Sequence, residues 1–142
     1  MNPHRDKVVS EIAKLAEKFA LKMEVFDSVY GNYRDVLIDS SKIVINIGNI
    51  GYPEDTGQFL RTMPNLHRIR YLLGRGKVVI SEKSGLFEEE AAYSGVVIFA
   101  DTASLFKAAY ALILAPELRR ELELRALKFA EAEQVSRPLV LS

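Results

Sequence analysis

The stretch from Lys42 to Ser81, KIVINIGNIGYPEDTGQFLRTMPNLHRIRYLLGRGKVVIS, decides the fold. It begins with KIVINI, Lys42 to Ile47, a run dense in β-branched residues that reads as a strand buried on both faces. It ends with a second such run, KVVIS, Lys77 to Ser81. Between them Pro64 suits the first turn of a helix, where its missing N–H is not needed, and Leu66, Ile69 and Leu73 form the inner stripe. Gly74 and Gly76 stop that helix. Two strands joined through a helix pair in parallel, with a right-handed crossover. The segment from Gly48 to Met63 has three glycines, one proline and no period, and reads as a long irregular loop of the functional or mobile kind.

The same alternation extends in both directions. Upstream, Asp6 to Lys22 reads as an amphipathic helix with Val8, Ile12, Leu15 and Phe19 inward and Lys7, Glu11, Lys14 and Lys18 outward. MEVF, Met23 to Phe26, follows as a short apolar run, a Tyr30-Gly31-Asn32 turn closes it, and a helix over Tyr33 to Ser40 leads into KIVINI. Downstream come a short acidic helix near Leu86 to Tyr93, the strand VVIFA, and a helix from Ala103 to Leu114 with Asp101 or Thr102 as its cap. Pro116 opens a last helix to about Glu133, with Leu118, Leu122 and Phe129 buried and a Glu121–Arg125 pair outside. The order α-β-α-β-α-β-α-β-α-α predicts an α/β fold, a three-layer Rossmann-like parallel sheet. The chain opens on a helix where such a fold opens on a strand, and the tail Pro138 to Ser142 is a candidate to fill the vacant position.

Length and composition agree with one domain spanning 1–142: 142 residues bury roughly two thirds of their unfolded surface, and 49% of them are apolar. Nineteen basic and nineteen acidic side chains cancel, which removes a global electrostatic case for nucleic acid. There are no cysteines, so disulfide and thiolate chemistry are excluded. No apolar run reaches the ~20 residues of a membrane span, and the opening MNPHRDKVV lacks a signal-peptide core, so a soluble, cytoplasmic protein is expected.

In an open parallel sheet, ligands bind beyond the carboxyl ends of the strands. That places Ser28 to Arg34, Gly48 to Met63, Ser81 to Gly85, and Asp101 with Thr102 on the functional edge, and the LGRG glycines on the opposite one. Gly48 and Asn49 let backbone approach a ligand, or form an ordinary turn. Ser81, Glu82 and Ser84 suit sugar hydroxyls or phosphate, or helix capping, while Asp101 and Thr102 read as a cap first. The helix after the long loop runs antiparallel to the strands, which brings His67, Arg68 and Arg70 near the ligand edge. Arg68 there suits a diphosphate, against the alternative of a solvated face that it shares with Tyr71. His4 and His67 lack a carboxylate at ligand spacing, so no metal is expected. Walker, G-x-G-x-x-G and nucleophile-elbow motifs are absent, and Glu88 to Glu90 read as a solvated face.

YGNYRDVLIDSSKIVINIG from Tyr30, followed by HRIRYLLGRGKVVISEKSG, resembles the carboxyl-terminal, nucleotide-sugar-binding half of GT-B glycosyltransferases of the spore-maturation type. In that group a "YG-x-x-R-D…SKI-x-x-N" segment precedes a loop and an "R-x-x-E-A-L-x-x-G-x-x-V-x-S" segment, and the likeness covers about residues 5–130. The resemblance implies transfer of a sugar from a nucleotide sugar to an acceptor, with no obligatory metal and no other cofactor. It carries the family's arginine onto Arg68, its glycine onto Gly76, its strand-end serine onto Ser81 and its asparagine onto Asn46. Tyr30, Gly31, Arg34 and Asp35 match the first segment. Tyr71 stands where the relatives have a donor-contacting glutamate, and a phenol does not accept hydrogen bonds as a carboxylate does.

The resemblance also implies that the chain is one half of a GT-B fold with the usual first strand absent. A second domain or a second copy would then supply the acceptor side and the base of inverting members. The expected donor site is Arg68 at the diphosphate with Ser81, Glu82, Asn49, Gly48 and Tyr71 around the nucleotide or sugar. The competing expectation is a non-catalytic relative serving as an interaction or assembly module.

Overall fold

A computed structural model describes residues 3–23, 32–47, 50–51, 60–61, 64–83 and 90–136. Three parallel strands form the sheet: β1 (Ile43–Asn46), β4 (Val78–Glu82) and β5 (Val97–Ala100), in the order β1-β4-β5. Around it lie α1 (Pro3–Lys18), α2 (Asn32–Ser40), α3 (Pro64–Gly74), a 3-10 turn (Thr102–Ser104), α4 (Leu105–Ile113) and α5 (Pro116–Ser136). Within the long segment after β1, β2 (Ile50–Gly51) and β3 (Leu60–Arg61) pair antiparallel, so a stretch expected to be irregular carries a small ladder. MEVF beyond Met23, most of the acidic helix with Glu88 and Glu89, and the tail Pro138 to Ser142 lie outside the described residues.

The two-residue period of the strands sorts their side chains into two cores. Ile43, Ile45 and Ile47 from β1 and its exit, Val78 and Ile80 from β4, and Ile98 and Ala100 from β5 pack against α1 and α4. Val44, Val79, Val97 and Phe99 face the other way, onto Ile38 of α2 and Ile69, Leu72 and Leu73 of α3. This is the α/β three-layer arrangement expected, compatible with a Rossmann-like sheet, and β4 in the middle is buried at every position.

Two helices seat themselves differently from their apolar patterns. In α1 the buried stripe is Val8, Ile12 and Ala16, while Leu15 and Phe19 are 38% and 43% exposed. Steps of four residues keep one face toward the core, and the small Ala16 lets the last turn sit close. Phe19 instead meets Phe106 and Tyr110 of α4, ring centroids 5.6 and 5.0 Å away. In α5 the buried contacts are Leu122 and Ala126, with Phe129 partly covered and Leu118 largely exposed. Leu122 joins the first core and Ala126 the second, so α5 bridges both faces of the sheet.

Gly76 ends α3 with φ +71°, its N–H donating to the Leu73 carbonyl at 2.9 Å. A Cβ there would meet the Leu127 side chain at 3.2–3.4 Å. Because Gly76 leads directly into β4, this contact places α5 across the amino-terminal edge of the sheet. The carboxyl edge is where polar groups gather.

Candidate functional site at the carboxyl edge

The buried polar residues among the described ones are Asn46, Ser81 and Glu82, between 2% and 4% exposed, and all three end strands. Burying a polar group is costly unless it is bonded, so their concentration at one edge marks a built feature of the fold.

Register and pleat explain how they are arranged. Asn46 lies opposite Ser81, and Ser81 opposite Phe99, on the α3 side. Asn46 Nδ2 donates to Ser81 Oγ at 3.1 Å, and Ser81 Oγ donates to the Glu82 carbonyl at 3.2 Å. Arg68, exposed on the second turn of α3, donates from a terminal guanidinium nitrogen to Asn46 Oδ1 at 3.2 Å. Asn46 thus ties an exposed cation to the strand end with its acceptor and ties the neighbouring strand with its donor.

One residue on, the pleat turns Glu82 to the opposite face. Its side chain is 2% exposed; Oε2 and Oε1 lie 2.8 and 3.1 Å from His4 Nε2, and Oε2 accepts the Thr102 hydroxyl. His4 comes from the first turn of α1 and Thr102 from the first residue after β5 and Asp101. Asp101 occupies the cap position expected of it, yet its side chain makes no capping bond and pairs with Lys83 at 3.7 Å; the Ser104 N–H bonds the Asp101 carbonyl instead.

Among the expected site residues, Arg68 and Ser81 share the α3-side cluster and Glu82 the opposite one. Ser81 and Glu82 are spent on partners inside the protein rather than presented to solvent. Gly48 and Asn49 lie outside the described residues. Tyr71 faces α2: its hydroxyl donates to Asp35, Arg34 lies over its ring at 5.0 Å, and Arg75 at 5.8 Å. The Arg34 Nε is buried and has no hydrogen-bond partner among the described residues. Arg75 also grips Asp39 through Nε at 2.8 Å, which holds the Asp39 carboxyl below its ordinary value. Arg70 bonds the Tyr93 hydroxyl at 2.8 Å and pairs with Glu133 at 3.3 Å, so it serves the packing of α3 on α5.

His4 is the site residue that sequence reasoning passed over. The signal was present, because α1 begins at the same edge as α3, so a polar residue in its first turn reaches the strand ends just as Arg68 does.

No group of three or more metal-ligating side chains occurs among the described residues, and no helix among them is long and apolar enough to cross a membrane. No family model, curated protein or solved structure matches the chain.

Proposed function

We propose that the carboxyl edge of the sheet binds the diphosphate of a nucleotide sugar, with Arg68 as the phosphate-facing cation, in a glycosyltransferase-like domain. The observation that carries this reading is the Arg68–Asn46–Ser81 chain, a buried network that holds an exposed guanidinium at a strand end. A guanidinium fixed in this way loses less freedom on forming charge-assisted bonds to phosphate oxygens than a free surface arginine does. Transfer of the sugar to an acceptor would engage a partner domain or a second copy.

The test is a thermal-shift panel with uridine, guanosine and thymidine diphosphates and their sugars. A ligand at 100 times its Kd adds about 2.7 kcal/mol of stability. At least one nucleotide is expected to raise Tm, and Arg68→Ala to abolish the rise. The absence of any shift at millimolar concentrations overturns the reading. A non-catalytic assembly module is the second reading, favoured by Tyr71: the residue standing at the family's carboxylate position is engaged with Asp35 of α2.

A further inference from the structure

The His4–Glu82–Thr102 cluster is not needed to hold a diphosphate, and its chemistry is of another kind. An ionised carboxylate only accepts hydrogen bonds. The His4 nitrogen facing Glu82 therefore carries the ring proton, and in the neutral imidazole the lone pair is on Nδ1. Among the described residues Nδ1 has no hydrogen-bond partner, and the His4 side chain is 28% exposed. The Thr102 hydroxyl donates to Oε2, the same carboxylate oxygen that lies nearest His4, and so gives Glu82 a second bond that holds it at the ring. A buried carboxylate that sets the tautomer of a partly exposed histidine is the arrangement of a general base and its orienting group.

We propose that His4 is the catalytic base that takes the proton from the attacking hydroxyl, water included, and that Glu82 is its positioning residue. This rests on the nucleotide-sugar reading of the Arg68 side. In the step, the acceptor O–H gives its proton to His4 Nδ1 and its oxygen forms a bond to the anomeric carbon. The bond from that carbon to the diphosphate oxygen breaks, and its electron pair leaves on the nucleoside diphosphate. Glu82 supplies the countercharge for the imidazolium. Ser81 and Glu82 are consecutive and point to opposite faces, so a donor lying across the end of β4 has its phosphates toward Arg68 and its acceptor side toward His4. The base then comes from this chain itself, contrary to the expectation drawn from the GT-B resemblance.

The experiment measures nucleoside diphosphate release, with water as acceptor, from whichever of the sugar donors of uridine, guanosine or thymidine diphosphate gives a thermal shift. His4→Gln keeps a donor for Glu82 but cannot take a proton. The expected result is a fall in rate of about 10²–10⁴-fold with the donor's thermal shift unchanged. A His4→Gln rate equal to wild type, or no release from a donor that binds, overturns the role of His4 while leaving nucleotide binding intact. No thermal shift with any donor overturns both.

Discussion

Replacing Thr102 by valine removes one hydroxyl from beneath a buried carboxylate and leaves the side-chain volume nearly unchanged. Glu82 is 2% exposed, so water has little access to the vacated acceptor position, and hydrogen bonds to charged groups contribute about 1.5–3 kcal/mol. Thr102→Val is therefore expected to cost about 1.5–3 kcal/mol, read by urea unfolding followed by far-UV circular dichroism. His4→Gln should cost less, because the His4 side chain is 28% exposed and glutamine still donates to the carboxylate. Combining Thr102→Val with Glu82→Met removes both partners, and such paired replacements by apolar groups can be nearly neutral. The double variant should then cost less than the sum of the singles by at least about 1 kcal/mol, a coupling that a double-mutant cycle isolates. Additive singles, or a Thr102→Val loss below about 0.5 kcal/mol, the size of an ordinary surface change, would refute the claim that Thr102 anchors the carboxylate.

Ala20, just past α1, has φ +57°, and Gly76, just past α3, has φ +71°. A side chain in that region costs roughly 1–2 kcal/mol, so Ala20→Gly should raise stability by about 1 kcal/mol, while Gly76→Ala should lower it by at least as much, since its Cβ also crowds Leu127; opposite signs in matched urea titrations check the pair. Leu73 is fully buried against α3's neighbours in the second core, and Leu73→Ala should cost about 2–5 kcal/mol in the same assay. The Asp39 carboxyl sits below its ordinary 3.8 because Arg75 bonds it, so the unfolded chain binds its proton first as pH falls. That contribution is present above pH 3.8 and is lost as pH drops through the folded value, so Tm measured against pH should show a shallower acid limb in Asp39→Asn, and added salt should shrink the difference.

The strands were legible because β-branched residues in short runs have few other homes, and Ile43 to Asn46, Val78 to Glu82 and Val97 to Ala100 fall where those runs are. The helix stripes were legible only in part. Ala16 and Ala126 are buried on α1 and α5, yet alanine is too weakly apolar to be told from a surface position by pattern. Leu15 and Leu118 are more apolar and less buried, because the backbone distance to the sheet, not hydropathy alone, selects which residue faces inward. The pairing of Ile50 with Arg61 and Gly51 with Leu60 depends on residues eleven and nine apart closing on each other, and no local period announces that. At the site, Arg68 could be placed from the direction of its helix. The same argument puts His4, in the first turn of α1, at that edge, but its pairing with Glu82 and Thr102, 78 and 20 residues from Glu82 in the chain, follows only from the order of the strands.

The pleat of β4 supplies the step that joins the two clusters. Ser81 faces α3 and Glu82 faces α1 and α4, so one turn of the strand's alternation separates a network ending in a cation from one ending in an imidazole. Each network is anchored by a buried acceptor, Asn46 Oδ1 on one side and the Glu82 carboxylate on the other, and each carries its outer member at the carboxyl edge of the sheet. If the two act on one ligand, their variants must separate. Arg68→Ala should weaken nucleotide binding, whereas His4→Gln should slow release from a donor that binds as before. An edge whose polar groups merely stabilise the fold would show neither effect, and there Thr102→Val would be the more damaging change by every measure.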